Sequence, residues 1–559
     1  MEENIIIKED ATDRISELPE CIIENILLRL DKPKERVRVS VLSKKWFALT
    51  ASLPVLKFLF SDFTDEEDWV SNRDVRDNFY NYVKHTVSRF CRQQNTKIAL
   101  TFKLLTVVGD NTELDIIEKC LELILMRGVK VLDICIKKSR KSNCQPMYRL
   151  RDMLSSASTL TSLQISDCVM LPSSLMVDVV NFKSLKALSL NRVPLNQLVI
   201  KHLTASCPLL QDLVVECCYG FKKFCVYGQN LKTLRFIDCN GKGIEAIDIE
   251  APNLCECLLS VGQGRGATSV ILGSCKQLRT LYLDGPFFQT SIGFADFLSN
   301  FPFLENLSLC LVNRRNILAV SSPSLRNFVL YDECDLEEID MNTPNLHLFR
   351  YSNSWNCSKG EFIIESNSGE LKTCMECHII NKVDTLLLLK LRRFMEKANI
   401  FKILKLDNLY GRLSVDSEVL KVTQLPPYEL EHVELNLPIR HVLPVLDGLL
   451  WCFHPRSLSL TSGFSRISDE EGNHFLKCIS KMLIQQEGQG PTNVRIEWSL
   501  PSKAKIYFSW SSVLTALTRD DVTQRVTFRK EGPDMDEGQR WRKKYQRQRF
   551  KQVQGSLGR

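Results

Sequence analysis

Cys374, Cys377 and His378 stand at the C-x-x-C-H spacing that attaches a c-type haem. That chemistry needs an exported, oxidising compartment. A zinc ion would need a second ligand pair at suitable spacing, and Cys357 is the nearest further cysteine. The motif therefore reads as a chance match in a chain with 21 cysteines. Gly262, Gly264 and Gly266 form neither a dinucleotide fingerprint nor a P-loop, because no lysine follows to reach a phosphate. They read as a loop on an outer arc. The eight histidines form no H-E-x-x-H, and no nucleophile elbow is present. These residues predict a non-catalytic chain with no metal and no cofactor.

The segment from Arg540 to Lys551 interleaves cations with Trp541, Tyr545 and Phe550, the pattern of single-strand nucleic-acid binders. A nuclear-localisation patch or a solvated end reads equally from it. Residues 539–559 hold eight Arg and Lys and no acid, while the whole chain carries +7, so residues 1–538 net −1. A basic-protein reading rests on the tail alone. The run from Asp62 to Asp68 is acidic and reads as a solvated loop.

The chain has 559 residues, too many for one compact core, which predicts several domains or a repeat array. Hydrophobic content of 44% excludes wholesale disorder. No run approaches the roughly 18 apolar residues of a membrane span, and the acidic N-terminus is no secretory signal. The expected location is cytoplasmic, nuclear or both, where the cysteines stay reduced. Cys168, Cys218 and Cys239 are expected to be buried in turns.

Two amphipathic stripes at the N-terminus predict two short helices. After Leu18 and Pro19, apolar residues fall at Ile22, Ile23, Ile26, Leu27 and Leu30. Asp31 to Pro33 stops that helix. The second stripe is Val37, Val41, Leu42, Trp46 and Leu49. So small a unit cannot bury both stripes against itself, so the surplus face needs a partner. The order D-R-I-S-x-L-P, then I-L, then V-L-S-K-K-W closely resembles the F-box, the module that docks on the Skp adaptor of Skp–cullin–F-box ubiquitin ligases. The resemblance implies adaptor contacts through Leu18, Pro19, Ile22, Ile23, Ile26, Leu27, Leu30, Val37, Leu42 and Trp46.

A pattern L-x-x-L-x-L, other apolar residues allowed, starts at Leu160, Leu185, Leu210, Leu231, Leu254, Leu278, Leu304, Leu325 and Leu346. Steps of 21 to 26 residues lie in the leucine-rich-repeat range. Weaker copies start at Val129, Phe401 and Leu430, and 351–400 is indistinct. Each unit supplies one strand and a return segment, covered only by its neighbours. Pro208, Pro252, Pro302, Pro323 and Pro344 precede a repeat's first leucine by two residues and deliver the chain into its strand. Strings such as A-P-N-L and S-P-S-L resemble the repeats of plant F-box/leucine-rich-repeat proteins. The FBD domain that ends many of those proteins is not recognisable after Pro491.

The predicted fold is α/β: a helical F-box over 10–55, a helical linker over 61–128 seating it, leucine-rich repeats over 129–480 forming a curved parallel sheet with helical or irregular outer segments, and a divergent region with a basic tail over 481–559. The resemblance implies the substrate-recognition subunit of a ubiquitin ligase, partnered by a Skp adaptor, through it cullin, and a target protein. Positions four and six of each unit face the core, so three, five and seven face the concave side. Arg235, Tyr282 and Arg350 at position five and Tyr331 at position seven are the candidate target contacts, being the residue types richest in binding hot spots. A receptor for a small-molecule hormone shares this architecture, but two arginines at position five make a weak anion pocket. A nucleic-acid-binding scaffold would depend on the tail.

Overall fold

The computed structural model describes residues 18–30, 33–63, 73–92, 98–138, 157–168, 182–239, 243–262, 267–287, 291–310, 318–331, 339–352, 373–379, 382–407, 412–416, 419–420, 426–462, 469–485, 493–500, 503–506 and 524–531. The basic tail and the D-R-I-S stretch lie outside them. The chain folds as two compact units, Met1–Phe288 and Gln289–Arg559.

Three helices stand at the N-terminus where the hydrophobic pattern predicts two: α1 (Glu20–Arg29), α2 (Pro33–Ser40) and α3 (Lys44–Ala51). Ser43 splits the second stripe, because its side chain accepts the Trp46 amide at 3.3 Å and caps α3. Ile23, Leu27, Trp46, Leu49 and Leu53 form the shared core, with Leu18, Leu30 and Val39 against it. Two side-chain bonds to backbone close the bundle, from Lys45 Nζ to the Leu18 carbonyl at 2.7 Å and from Arg36 Nε to the Leu30 carbonyl at 2.8 Å.

Two further helices follow, α4 (Arg73–Arg92) and α5 (Asn111–Arg127). The first unit then carries these strands: β1 (Val55–Leu59), β2 (Ala99–Val108), β3 (Val129–Lys138), β4 (Ser162–Ser166), β5 (Ala187–Asn191), β6 (Asp212–Glu216), β7 (Lys223–Tyr227), β8 (Thr233–Ile237), β9 (Ala246–Glu250), β10 (Glu256–Ser260), β11 (Ser269–Ile271) and β12 (Thr280–Asp284). The inner sheet runs β1-β2-β3-β4-β5-β6-β8-β10-β12, every pair parallel. It therefore begins at Val55, ahead of the residue 129 expected for the first repeat. The expected linker contributes β2 to the sheet, while α4 and α5 cover it. Tyr80 of α4 bonds Thr106 Oγ1 at 2.9 Å, and Arg76 pairs with Glu113 of α5 at 2.8 Å.

In the second unit the strands are β13 (Asn306–Cys310), β14 (Leu318–Ser321), β15 (Asn327–Tyr331), β16 (Ile339–Asn342), β17 (Leu348–Ser352), β18 (Cys374–His378), β19 (Lys382–Asp384), β20 (Ile403–Asp407), β21 (Arg412–Ser414), β22 (Tyr428–Asn436), β23 (Phe453–Ser462), β24 (Asn493–Leu500), β25 (Lys503–Ile506) and β26 (Gln524–Glu531). β13, β15, β17, β18, β20, β22 and β23 pair in parallel in that order. β26 then pairs antiparallel with β23 and β24, so the last parallel strand ends at Ser462.

Repeat length selects the return element. Steps of 25 and 26 residues, from Leu185 and Leu278, return through helices Gln197–Ala205 and Ser291–Leu298. Steps of 21 to 24 return through short outer strands: β7, β9 and β11 in one parallel ribbon, β14 and β16 in another. A helix rises about 1.5 Å per residue and a strand about 3.3 Å, so the same return path takes more residues as helix. Outer strands are thus added to the helical or irregular segments expected. The Pro-Asn turns also link neighbours. Asn253 Nδ2 donates to the Gln229 carbonyl and Asn345 Nδ2 to the Pro323 carbonyl, both at 2.7 Å.

Candidate functional site

The N-terminal helices present a divided surface. On α1, Ile23 and Leu27 point into the core while Ile22 and Ile26, one residue back, face outward. Val37 of α2, Val41 and Leu42 of the turn after it and Phe47 of α3 are exposed as well, with Val41 77% exposed. Pro19 is exposed, and Leu18 and Leu30 are half-buried against the core. Three of the residues expected to touch an adaptor are therefore interior ones: Ile23, Leu27 and Trp46, the last only 2% exposed. The three-helix arrangement turns them inward, which the two-helix reading misses. Val41 and Phe47 belong to the exposed face instead. Phe47 also carries the Arg89 guanidinium of α4 over its ring at 4.6 Å, tying the bundle to the repeat unit.

The strand registers bring the position-five residues into rows. In the first unit, Lys57, Lys103, Asp133, Gln164, Ser189, Val214, Arg235, Leu258 and Tyr282 are successive partners. Arg235 pairs with Glu216 at 2.8 Å. Tyr282 is 5% exposed, so it is a packed residue and not a surface contact as expected. In the second unit the row is Ser308, Val329, Arg350, Glu376, Lys405, Glu434 and Ser459. Arg350 meets Glu376 at 2.8 Å and Lys405 meets its other oxygen at 3.1 Å. Burial alone would raise the Glu376 carboxyl, but the two cations outweigh it and hold it below the ordinary carboxylate range. Tyr331 is half-buried at position seven. Glu376 was hidden in the sequence because Lys372 stands where the repeat's first leucine falls, while Met375 and Cys377 replace the next two.

The same register resolves the C-x-x-C-H motif as a repeat strand. Cys374 and Cys377, three apart on β18, project to opposite faces. Burial pushes the Cys377 thiol upward. Among the described residues no group of three His, Cys, Asp or Glu is arranged to hold a metal ion.

Cysteine positions follow the turn at each strand's end. Asp167, Arg192 and Cys217, at equivalent sites, take left-handed backbone conformations that turn the next residue inward. Cys168 and Cys218 are accordingly buried, with burial pushing both thiols up to about 12. Asp238 at the equivalent site is not left-handed and is itself buried, which leaves Cys239 outside. Cys239 is therefore exposed, against expectation, and it forms a disulfide with Cys217 of the preceding repeat.

Comparison with known proteins follows the repeats. A family model described as the leucine-rich repeats of the FBD-associated F-box protein At5g56370 matches residues 117–295. The F-box/FBD/LRR-repeat protein At5g44980 of Arabidopsis thaliana is 23% identical over 328 residues, covering 56% of this chain and 71% of that protein. The FBD-associated F-box protein At5g44940 of the same plant is 26% identical over 201 residues, covering 36% of this chain and 49% of that protein. The chain thus spans about half the length of that relative. A chain from the crystal structure of the yeast Rad7 and Elc1 complex is 12% identical over 70% of this chain and 84% of that one, with a TM-score of 0.24. No described helix is long and apolar enough to cross a membrane. The parallel repeat register, the family model and the two Arabidopsis proteins make the chain similar, through its repeats, to plant F-box/leucine-rich-repeat proteins.

Proposed function

We propose that the chain is the substrate-recognition subunit of a Skp–cullin–F-box ubiquitin ligase, acting in the cytoplasm, the nucleus or both. The observation that carries this reading is the apolar face of α1 to α3. Ile22, Ile26, Val37, Val41 and Leu42 stay exposed even though the same helices close a core of their own. Several exposed apolar side chains on one small helical unit with a core of its own mark a protein contact. Skp binding would cover it, and cullin would follow through the adaptor. The repeats would hold a target protein near the ubiquitin-loaded enzyme. The chain contributes proximity and orientation, with no covalent step of its own.

Co-purification tests this. Wild-type chain should retain a Skp adaptor and cullin, and Val37→Asp with Leu42→Asp should lose both while keeping its circular dichroism spectrum. Retention by the double variant at the wild-type level would reject the assignment.

A further inference from the structure

The N-terminal rim of the first unit's sheet carries a row of cations held in register. At the entry to each strand the carbonyl of one residue accepts the amide of its counterpart in the next repeat, in the order Lys130, Thr161, Lys186, Gln211, Lys232, Cys255 and Arg279. Every second member is a cation, and Lys130, Lys186, Lys232 and Arg279 are all exposed. Lys130, Lys186 and Lys232 form no ion pair among the described residues. Neighbouring strands lie about 4.8 Å apart, so alternate cations stand about 10 Å apart. The same row in the second unit reads Glu305, Arg326, His347, Thr373, Lys402 and Glu431, of mixed sign. Among the described residues the basic row belongs to the first unit alone.

We propose that this rim binds an extended acidic segment of a target protein, with carboxylates at every third residue seated on Lys130, Lys186, Lys232 and Arg279. An extended chain in the polyproline II conformation has about three residues per turn and rises about 3.1 Å per residue, so side chains three apart share one face, recur at about 9 Å and match the row. A nucleic acid fits less well. Its strand delivers a phosphate about every 3.4 Å of duplex axis, and some of these would fall on Asp212 and Glu256, both exposed beside the row. The proposal rests on the repeats being a recognition surface and not on the adaptor contact of α1 to α3.

Fluorescence anisotropy on the full chain tests it, with a labelled peptide of four Glu-Ser-Ser repeats as probe. A Gln-Ser-Ser peptide and an oligothymidylate serve as comparators. The glutamate peptide should bind and the glutamine peptide should not, with affinity falling as salt rises. The triple variant Lys130→Glu, Lys186→Glu, Lys232→Glu should weaken binding at least about tenfold while its melting curve and its adaptor co-purification stay unchanged. Binding that survives the triple variant, that disappears on deleting residues 539–559 alone, or that is tighter for the oligothymidylate overturns the proposal. Loss of the adaptor contact in the wild-type chain would strike the ligase reading and leave this one standing.

Discussion

Trp46→Ala separates the interior of the N-terminal helices from their exposed face. Trp46 packs among Ile23, Leu27, Leu49 and Leu53 and is 2% exposed. Truncating a buried tryptophan to alanine costs about 3–5 kcal/mol. A unit of this size, at about 0.05–0.15 kcal/mol per residue, holds only about 2–6 kcal/mol in all. The substitution therefore removes most of the local stability without reaching the sheet, whose strands are covered by their own repeats. Hydrogen exchange followed by mass spectrometry reads this directly. Amides of α1 to α3 should lose about a hundredfold or more of their protection, at about 1.4 kcal/mol per factor of ten. Those of β4, β5 and β6 should not move. Leu42→Ser, at a side chain 53% exposed, should stay within about 0.5 kcal/mol of wild type and leave exchange unchanged, while abolishing adaptor capture. Wild-type protection of α1 to α3 in Trp46→Ala would refute the assignment of Trp46 to the interior. Collapse of that protection in Leu42→Ser would refute the assignment of Leu42 to the surface.

Glu376→Gln should destabilise the second unit by about 1–3 kcal/mol in urea titration, because Arg350 and Lys405 then face each other partly buried. Since the folded Glu376 carboxyl ionises below its ordinary value of 4.5, its contribution should be full above that pH and fade as acid is added, and the glutamine variant should lack that loss. Cys217 and Cys239 are 22 residues apart, so reducing their bond should lower first-unit stability by about 3 kcal/mol, and a Cys239→Ser variant should not respond to reductant. Gly285→Ala should melt lower than wild type, because φ is +133° and a Cβ there would lie 2.7 Å from the Val261 carbonyl oxygen. Asn253→Ala should cost about 1 kcal/mol through the lost bond to the Gln229 carbonyl, measured by the same titration.

The repeat period was legible because each strand must bury positions four and six against its neighbours, and leucine, isoleucine, valine or phenylalanine fills them in most units. β18 was not legible as a repeat, because the apolar demand there is met by Met375 and Cys377, and a lysine stands at the first position. The chemistry-like spacing of Cys374, Cys377 and His378 is a by-product of that substitution. β1 and β2 escaped for another reason. β1 takes its register from β2 and β2 from β3, partners far along the chain, while the hydrophobic pattern of α4 and α5 dominates the segments between. Outer strands are three to five residues long, too short for alternation to show.

At the N-terminus, composition says only that the helices are amphipathic, and the phase of each helix decides which residues are left over for a partner. Ile22 and Ile23 are adjacent and chemically equal, yet one is exposed and the other fully buried. The difference is one residue, about 100° of helical rotation on α1, while the cap at Ser43 fixes where α3 starts and where Trp46 enters the same core. A pattern of apolar residues lists both sides of such a helix together. Only the packing of three helices sorts them, and that packing leaves Ile22, Ile26, Val37, Val41 and Leu42 as the face that a second protein can cover.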